Sequence, residues 1–135
     1  MKPNRLLGAV SFLVCLLGGS WASAATFSVN SYVDSVDMTP GNGTCADSAG
    51  RCTLRAAILE ANALPGPDTI LAPPGVYNMT LGGANEDLGL TGDLDIFSDV
   101  TIIGLGTTRI ESQVGRVIHV LSGNVSITGL TRAHR

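Results

Sequence analysis

Apolar and polar positions in the second half of the chain recur with a period of about 24 residues. The runs DTILAP, GDLDIF and RVIHVL begin 24 residues apart, at Asp68, Gly92 and Arg116. This alignment superimposes one apolar position of each run: Ile70, Leu94 and Ile118. A second set of similar runs, VYNMTLG, VTIIGLG and VSITGLT, begins at Val76, Val100 and Val125. The chain therefore contains an internal repeat with two β-type runs in each period.

Two short β-type runs per period, separated by Pro, Gly, Ser and Asp residues, are typical of one coil of a parallel β-helix. Alternation along GDLDIF turns Leu94 and Ile96 inward and Asp93 and Asp95 outward, and His119 points outward in the next coil. Tyr77 and Met79 form the predicted inward pair of the first coil, whose register shifts by one residue. We predict an all-β fold of about three coils.

The stretch from Thr53 to Ala63 is predicted to form a helix that caps the coils. Thr53 is a suitable N-cap, and the Pro65–Pro67 segment ends the helix. One apolar stripe has helical spacing and consists of Leu54, Ala57, Ile58 and Ala61. Arg55, Leu59 and Asn62 share a second face, which we expect to be less buried. An amphipathic helix here would cover the exposed end of a β-helix.

The N-terminus has the pattern of a secretory signal peptide over residues 1–24. Lys2 and Arg5 precede a short apolar run, and the small residues Ala22-Ser23-Ala24 form a cleavage site. We expect cleavage after Ala24, with Ala25 as the alternative, and Cys15 leaves with the peptide. The predicted location is extracellular or at the cell surface, and the apolar run is too short for a membrane span.

Loss of Lys2 and Arg5 changes the formal net charge from −3 to −5 and leaves a chain without lysine. Such a chain is poorly suited to nucleic acid or anionic membranes. Cys45 and Cys52 then remain as an even pair in an exported protein, which predicts a disulfide. Closing this loop would remove about 2.5 kcal/mol of unfolded-state entropy.

The hexapeptide CTLRAA, which begins at Cys52, resembles the CSLREA motif that names a domain of exported bacterial β-helix proteins. The resemblance extends over nearly the whole predicted mature chain, including TFSVNSYVDSVD, PGNGTCADSAGRC and LRAAILEANALPGPDTI. It implies a right-handed, pectin-lyase-like β-helix outside the cell or at its surface, and it implies no established activity. Thr53 and Ala56 depart from the motif. Ala56 lacks the capping-box carboxylate, a loss of roughly 0.5–1 kcal/mol.

The predicted organisation is a cap over residues 25–67, comprising a strand, the Cys45–Cys52 loop and the helix, followed by β-helix coils over 68–135. The third coil is expected to be incomplete, as in a truncated member of a longer protein. Its open end would expose unpaired strand edges, which favours self-association.

An enzyme on this fold needs two carboxylates for acid–base work, or an acidic calcium cluster with a basic residue. The candidates are Asp93, Asp95 and Asp99, with Arg116 and His119 one coil along. On the 24-residue register, Asp95 and His119 are adjacent and outward-facing. The alternative is a solvated polar face without a reaction, since fold analogy alone is a weak reason to expect catalysis.

A calcium site is also a candidate, because Asp34, Asp37 and Asp47 flank a glycine-rich turn with carbonyl oxygens. The alternative is that these aspartates form Asx-turns or are solvated. Arg55 is expected to pair with Asp47 or Glu60. No cofactor is otherwise predicted.

The sequence favours an exported structural or adhesive module that binds a glycan or a protein. The alternative is a polysaccharide lyase or glycoside hydrolase, or a truncated remnant of one.

Overall fold

A computed structural model describes residues 18, 22–83, 85–113 and 115–134 of the 135-residue chain. The signal peptide predicted over residues 1–24, with Cys15, therefore lies almost wholly outside the described residues. In the described part of the chain, no helix has the length and apolar character needed to cross a membrane.

The described chain is mostly β-structure with one short helix, in agreement with the predicted all-β class. Strand β1 and helix α1 come first, at Thr26–Ser28 and Leu54–Ala63. The remaining strands are β2 Asp68–Ala72, β3 Gly75–Met79, β4 Leu94–Ile96, β5 Val100–Ser112, β6 Ile118–Val120 and β7 Val125–His134.

Five strands form one curled parallel sheet around the long strand β5. The first part of β5 pairs with β2, which in turn pairs with β1, and the last part of β5 pairs with β3. Strand β7 lies along the other edge of β5, and β4 and β6 form a separate two-stranded parallel sheet. Among the described residues, β7 pairs with β5 alone, and the self-association predicted at this end stays a prediction.

The pairing of β5 with β7 is irregular between Ile103 and Thr108. Gly104 and Gly129 approach each other here, and a Cβ atom added to Gly104 would lie 2.1 Å from the Gly129 carbonyl oxygen. Both positions therefore require glycine. Because the two residues are equivalent in VTIIGLG and VSITGLT, the repeat preserves this close contact.

The 24-residue alignment is confirmed in the second half of the chain and is wrong in the first. Leu94 pairs with Ile118, and Val100 pairs with Val125. Ile70, however, pairs with Ile102, which is 32 residues away, and not with Leu94. The reason is that the described residues of segment 80–93, which are all but residue 84, form no strand, and this irregular segment lengthens the period.

The core lies between the curled sheet, the β4–β6 pair and α1. Alternate residues of β2 are buried, as a strand with one face inward requires. Tyr77 and Met79 are both buried, as predicted for the inward pair of that run. The fully buried apolar strand residues include Ile70, Tyr77, Met79, Leu94, Ile96, Ile102 and Ile110.

Helix α1 packs against β2 and β4 and forms as predicted. The Thr53 side chain accepts a hydrogen bond from the Ala56 N–H at 3.1 Å, and its hydroxyl donates to the Ser35 carbonyl at 2.6 Å. The predicted apolar stripe is buried in the core: Leu54, Ala57, Ile58 and Ala61.

The expectation that Arg55 and Leu59 lie on a less buried face is wrong, because both side chains are buried. The irregular segment 80–93 packs over this face of α1, and its backbone carbonyls bind the Arg55 guanidinium. Periodicity within the helix could not reveal this cover, because the covering residues lie outside the helix.

Candidate functional site

Strands β4 and β6 bring Asp95 and His119 together, as the 24-residue register predicts. The two residues are direct partners in the parallel ladder, flanked by the apolar pairs Leu94 with Ile118 and Ile96 with Val120. Nδ1 of His119 lies 3.0 Å from Oδ1 of Asp95. Because alternate residues of a strand point to opposite sides, this polar pair faces away from the apolar interior.

Asp95 faces away from the apolar interior as predicted, but it is fully buried and is therefore not part of a solvated polar face. The irregular segment 80–93 folds over it, and the Gly89 N–H donates to Oδ2 at 3.0 Å. Burial raises the pKa of the Asp95 carboxyl, and the negative charges of Asp93 and Glu86 raise it further. The hydrogen bonds with His119 and Gly89 act in the opposite direction.

Asp87 is the third titratable residue of this cluster. Its Oδ1 lies 3.8 Å from Nδ1 of His119, and its side chain is 68% exposed. One ligand atom each from Asp87, Asp95 and His119 falls within 4.8 Å of the others. One imidazole and two carboxylates suit a borderline cation such as Zn²⁺. The same Asp95 and His119 atoms already face each other, so an ion would have to replace that contact.

The other catalytic candidates follow the same pattern as Asp95. Asp93 accepts a hydrogen bond from the Arg116 guanidinium at 2.6 Å, and Asp99 accepts one from the Asn124 N–H at 2.7 Å. The acids Asp93, Asp95 and Asp99 thus contact residues 23, 24 and 25 positions further along the chain. Each carboxylate that the sequence offers for catalysis is engaged with the following period.

The three calcium candidates do not converge on one point, because each has its own protein partners. Asp37 accepts hydrogen bonds from the Thr39 and Ala46 N–H groups at 2.7 and 2.8 Å. These bonds close the loop on itself, as Asx-turn chemistry predicts. The geometry therefore assigns Asp37 to the loop and not to a shared cation site.

Asp47 is buried and receives donors from its own loop. The Arg51 guanidinium lies 2.7 Å from Oδ2, and the Ser35 hydroxyl donates to the same oxygen at 2.7 Å. The Ala49 and Arg51 N–H groups donate to Oδ1. The Arg51 side chain holds the pKa of the Asp47 carboxyl well below its ordinary value, with the Ser35 and backbone hydrogen bonds acting in the same direction against burial.

Asp34 pairs with Arg55, whereas Asp47 or Glu60 was the expected partner. Arg55 donates from Nε and Nη2 to the two carboxylate oxygens, at 2.6 and 3.2 Å, and both side chains are fully buried. Oδ2 of Asp34 also accepts from the Thr80 and Leu81 N–H groups, at 2.7 and 2.9 Å. A bidentate pair with additional donors is the arrangement that a buried ion pair requires.

The remaining donors of Arg55 bind carbonyl oxygens of the irregular segment 80–93. Nη1 donates to Gly89 at 2.8 Å and to Asp93 at 3.2 Å, and Nη2 donates to Gly92 at 2.8 Å. This guanidinium therefore joins the cap helix to the segment that covers Asp95. Sequence reasoning missed Asp34 as a partner because 21 residues separate it from Arg55, and no local pattern links the two.

Two further residues of helix α1 contact neighbouring segments. Glu60 is fully buried and accepts hydrogen bonds from the N–H groups of Gly41 and Gly43, which fixes the glycine-rich turn against α1. The Asn62 side-chain amide donates to the Asp95 carbonyl at 2.8 Å, and its oxygen accepts from the Phe97 N–H at 3.1 Å. The predicted helix face thus contacts the strand that carries Asp95.

The predicted disulfide is confirmed. Cys45 and Cys52 are bonded, with their Cα atoms 5.0 Å apart, and Cys52 is buried in the core. The bond closes the loop that carries Asp47 and ends immediately before Thr53. It therefore ties this loop to the start of helix α1, and it suggests an oxidising location for the protein.

An apolar groove of about 210 Å³ lies between α1 and the irregular segment 80–93, which covers Asp95. Its lining includes Leu59, Ala63, Leu88, Leu90 and Phe97. Leu88 and Phe97 are also exposed on the surface. The groove therefore offers apolar contacts beside the polar cluster.

No known protein family, curated protein or solved structure matches the chain.

Proposed function

We propose that the chain is an exported module of a right-handed parallel β-helix, with a structural or adhesive role at the cell surface or outside the cell and without catalysis. Three features support this proposal: the signal-peptide pattern, the resemblance to CSLREA domains, and the pairing of equivalent residues such as Leu94 with Ile118. The disulfide agrees with an oxidising compartment.

The observation that carries the proposal is that the candidate catalytic acids bind other side chains and backbone groups of the protein. Asp93, Asp95 and Asp99 contact Arg116, His119 and Asn124, one period along the chain. General acid–base chemistry on a polysaccharide requires carboxyl groups that reach the substrate. Here the three carboxyl groups bind neighbouring segments of the chain, and such contacts stabilise a stacked structural module.

The proposal is tested by incubating the secreted protein with polygalacturonate and other surface polysaccharides, with and without calcium. We expect no formation of new reducing ends and no unsaturated products under any condition. Retention of the protein on an immobilised polysaccharide, without its cleavage, would identify the adhesive form of the role.

A polysaccharide lyase or glycoside hydrolase is the second candidate, and the cluster around Asp95 favours it. A buried carboxyl with a raised pKa beside a histidine is a common feature of active sites. Turnover that is lost in both Asp95→Ala and His119→Ala, and retained in Asp99→Ala, would overturn the structural proposal in favour of an enzyme.

A further inference from the structure

A buried carboxylate lies at the predicted cleavage site. Asp68 opens strand β2 and is fully buried with its side chain in the interior. Its Oδ1 accepts a hydrogen bond from the Ala25 N–H at 2.8 Å. Its Oδ2 is buried and has no hydrogen-bond donor among the described residues.

This environment is unfavourable for an ionised carboxyl. Burial raises the pKa of Asp68, and the single hydrogen bond from Ala25 opposes the shift only in part. A buried carboxylate ordinarily has a cation or several donors around it. The buried acids elsewhere in the cap follow this rule, since Asp34 has Arg55 and Asp47 has Arg51.

The nitrogen that donates to Asp68 belongs to the residue that follows the predicted cleavage site. Ala22, Ser23 and Ala24 are exposed and form no regular secondary structure, so the Ala24–Ala25 bond is accessible to a peptidase. The Ala25 carbonyl accepts from the Thr69 N–H at 2.8 Å, and β1 follows immediately in the sheet. Ala25 is therefore held in place by residues that cleavage does not remove.

We propose that cleavage of the Ala24–Ala25 bond creates a partly buried ion pair between the new α-ammonium group of Ala25 and the Asp68 carboxylate, so that processing during export stabilises the fold. The inference rests on the proposed export of the chain. Hydrolysis by a peptidase consumes one water, leaves the carboxylate on Ala24, and leaves an amine on Ala25 that at neutral pH takes up the proton released by the new carboxyl group. The ammonium then carries three N–H donors where the peptide had one.

The additional donors and the positive charge match what Asp68 lacks. One N–H of the ammonium keeps the bond to Oδ1, and a second is available to the adjacent Oδ2. An opposite charge at this distance favours the ionised carboxylate by roughly tenfold to a thousandfold. This preference for the ionised carboxylate stabilises the folded mature chain and not the unfolded chain, because the ion pair exists only when β1 is paired with β2.

Three forms of the protein test the inference: residues 25–135 with a free α-amine, the same chain with an acetylated α-amine, and residues 24–135. Acetylation restores one N–H and removes the charge, while the extra Ala24 moves the charge by one residue. We expect the folding equilibrium constant of the free-amine form to exceed both others by roughly tenfold or more in urea unfolding. Equal stability of the three forms would overturn the inference.

The Asp68→Asn variant supplies the matched control, because asparagine keeps the size of the side chain and removes its charge. In that background, acetylation is expected to leave the unfolding midpoint unchanged. If acetylation lowers the stability of Asp68→Asn as much as that of the wild type, the effect of the α-amine does not depend on the Asp68 charge, and the inference is overturned. Since acetylation also acts on the wild-type chain, the test stands even if the Asp68→Asn variant does not fold.

Mass spectrometry of the secreted protein separates the two claims. An N-terminus at Ala25 supports both export and the ion pair, whereas an N-terminus at Thr26 removes the donor and contradicts the inference while export holds. A chain that retains residues 1–24 contradicts the proposed export, and the comparison of the three purified forms then decides the ion pair by itself.

Discussion

At the scale of single residues, acidic side chains are the main connectors in this molecule. Asp34 joins α1 to the irregular segment through Arg55, and Glu60 fixes the glycine-rich turn on the helix. Asp93 and Asp95 join β4 to residues next to or within β6. A chain with eleven acidic residues and an excess of negative charge therefore uses many of them in specific internal contacts.

We predict that Asp34→Ala destabilises the protein by about 3–5 kcal/mol, because it leaves the buried Arg55 guanidinium without its counter-ion. The measurement is the free energy of unfolding in urea. Arg116→Ala is the matched control, since it removes an ion pair with Asp93 whose arginine is 58% exposed and should cost at most about 1 kcal/mol. Equal effects of the two substitutions would contradict the assignment of Arg55 as a buried connector.

The raised pKa of Asp95 gives a prediction for pH. In the unfolded chain this carboxyl ionises near its ordinary value of 3.8, whereas the folded state disfavours the charge. Stability is therefore lost as the pH rises from that value through the raised pKa. Asp95→Asn removes this loss, so the variant should be more stable than the wild type near pH 7, and the difference should shrink toward about pH 4.

Urea unfolding of both proteins across this range measures the difference. His119, Asp93, Glu86 and Asp87 lie near the Asp95 carboxyl and are present in both chains, so the comparison reports the ionisation of Asp95 together with its interactions with these groups. A stability difference that stays constant or grows as the pH falls would contradict the burial argument.

At the scale of elements, helix α1 is held from several directions. Its apolar stripe faces the core, Arg55 and Glu60 bind loops, and Asn62 bonds to β4. Residues 54–61 are buried without exception, which is unusual for a ten-residue helix at the end of a sheet. The helix is therefore fixed in place by the core, by two loop segments and by β4.

We predict that Ile58→Asp prevents folding, because it places an unpaired charge at a position that is 2% exposed. Ala63→Asp, at an exposed position of the same helix, should change stability by less than about 1 kcal/mol. Circular dichroism and thermal unfolding distinguish the two variants. An Ile58→Asp protein with the wild-type transition temperature would refute the role of α1 as the cap.

At the scale of the whole molecule, local periodicity predicts some features and cannot predict others. The stripe of α1 and the pairing of Asp95 with His119 follow from spacings of three to four and of 24 residues. The pairing of β2 with β5 does not, because the irregular segment 80–93 changes the spacing to 32 residues without a sequence signal of its own. The same segment buries Asp95 and Arg55, so both errors in burial have one cause.

The central claim is that polar side chains one period apart hold neighbouring segments together. The coupling free energy between Asp95 and His119 tests it most directly. It is measured by urea unfolding of the wild type, Asp95→Ala, His119→Ala and the double variant. We predict a favourable coupling of about 0.5–1.5 kcal/mol, as expected for a hydrogen-bonded pair. Additive effects, with a coupling within about 0.3 kcal/mol of zero, would contradict the claim.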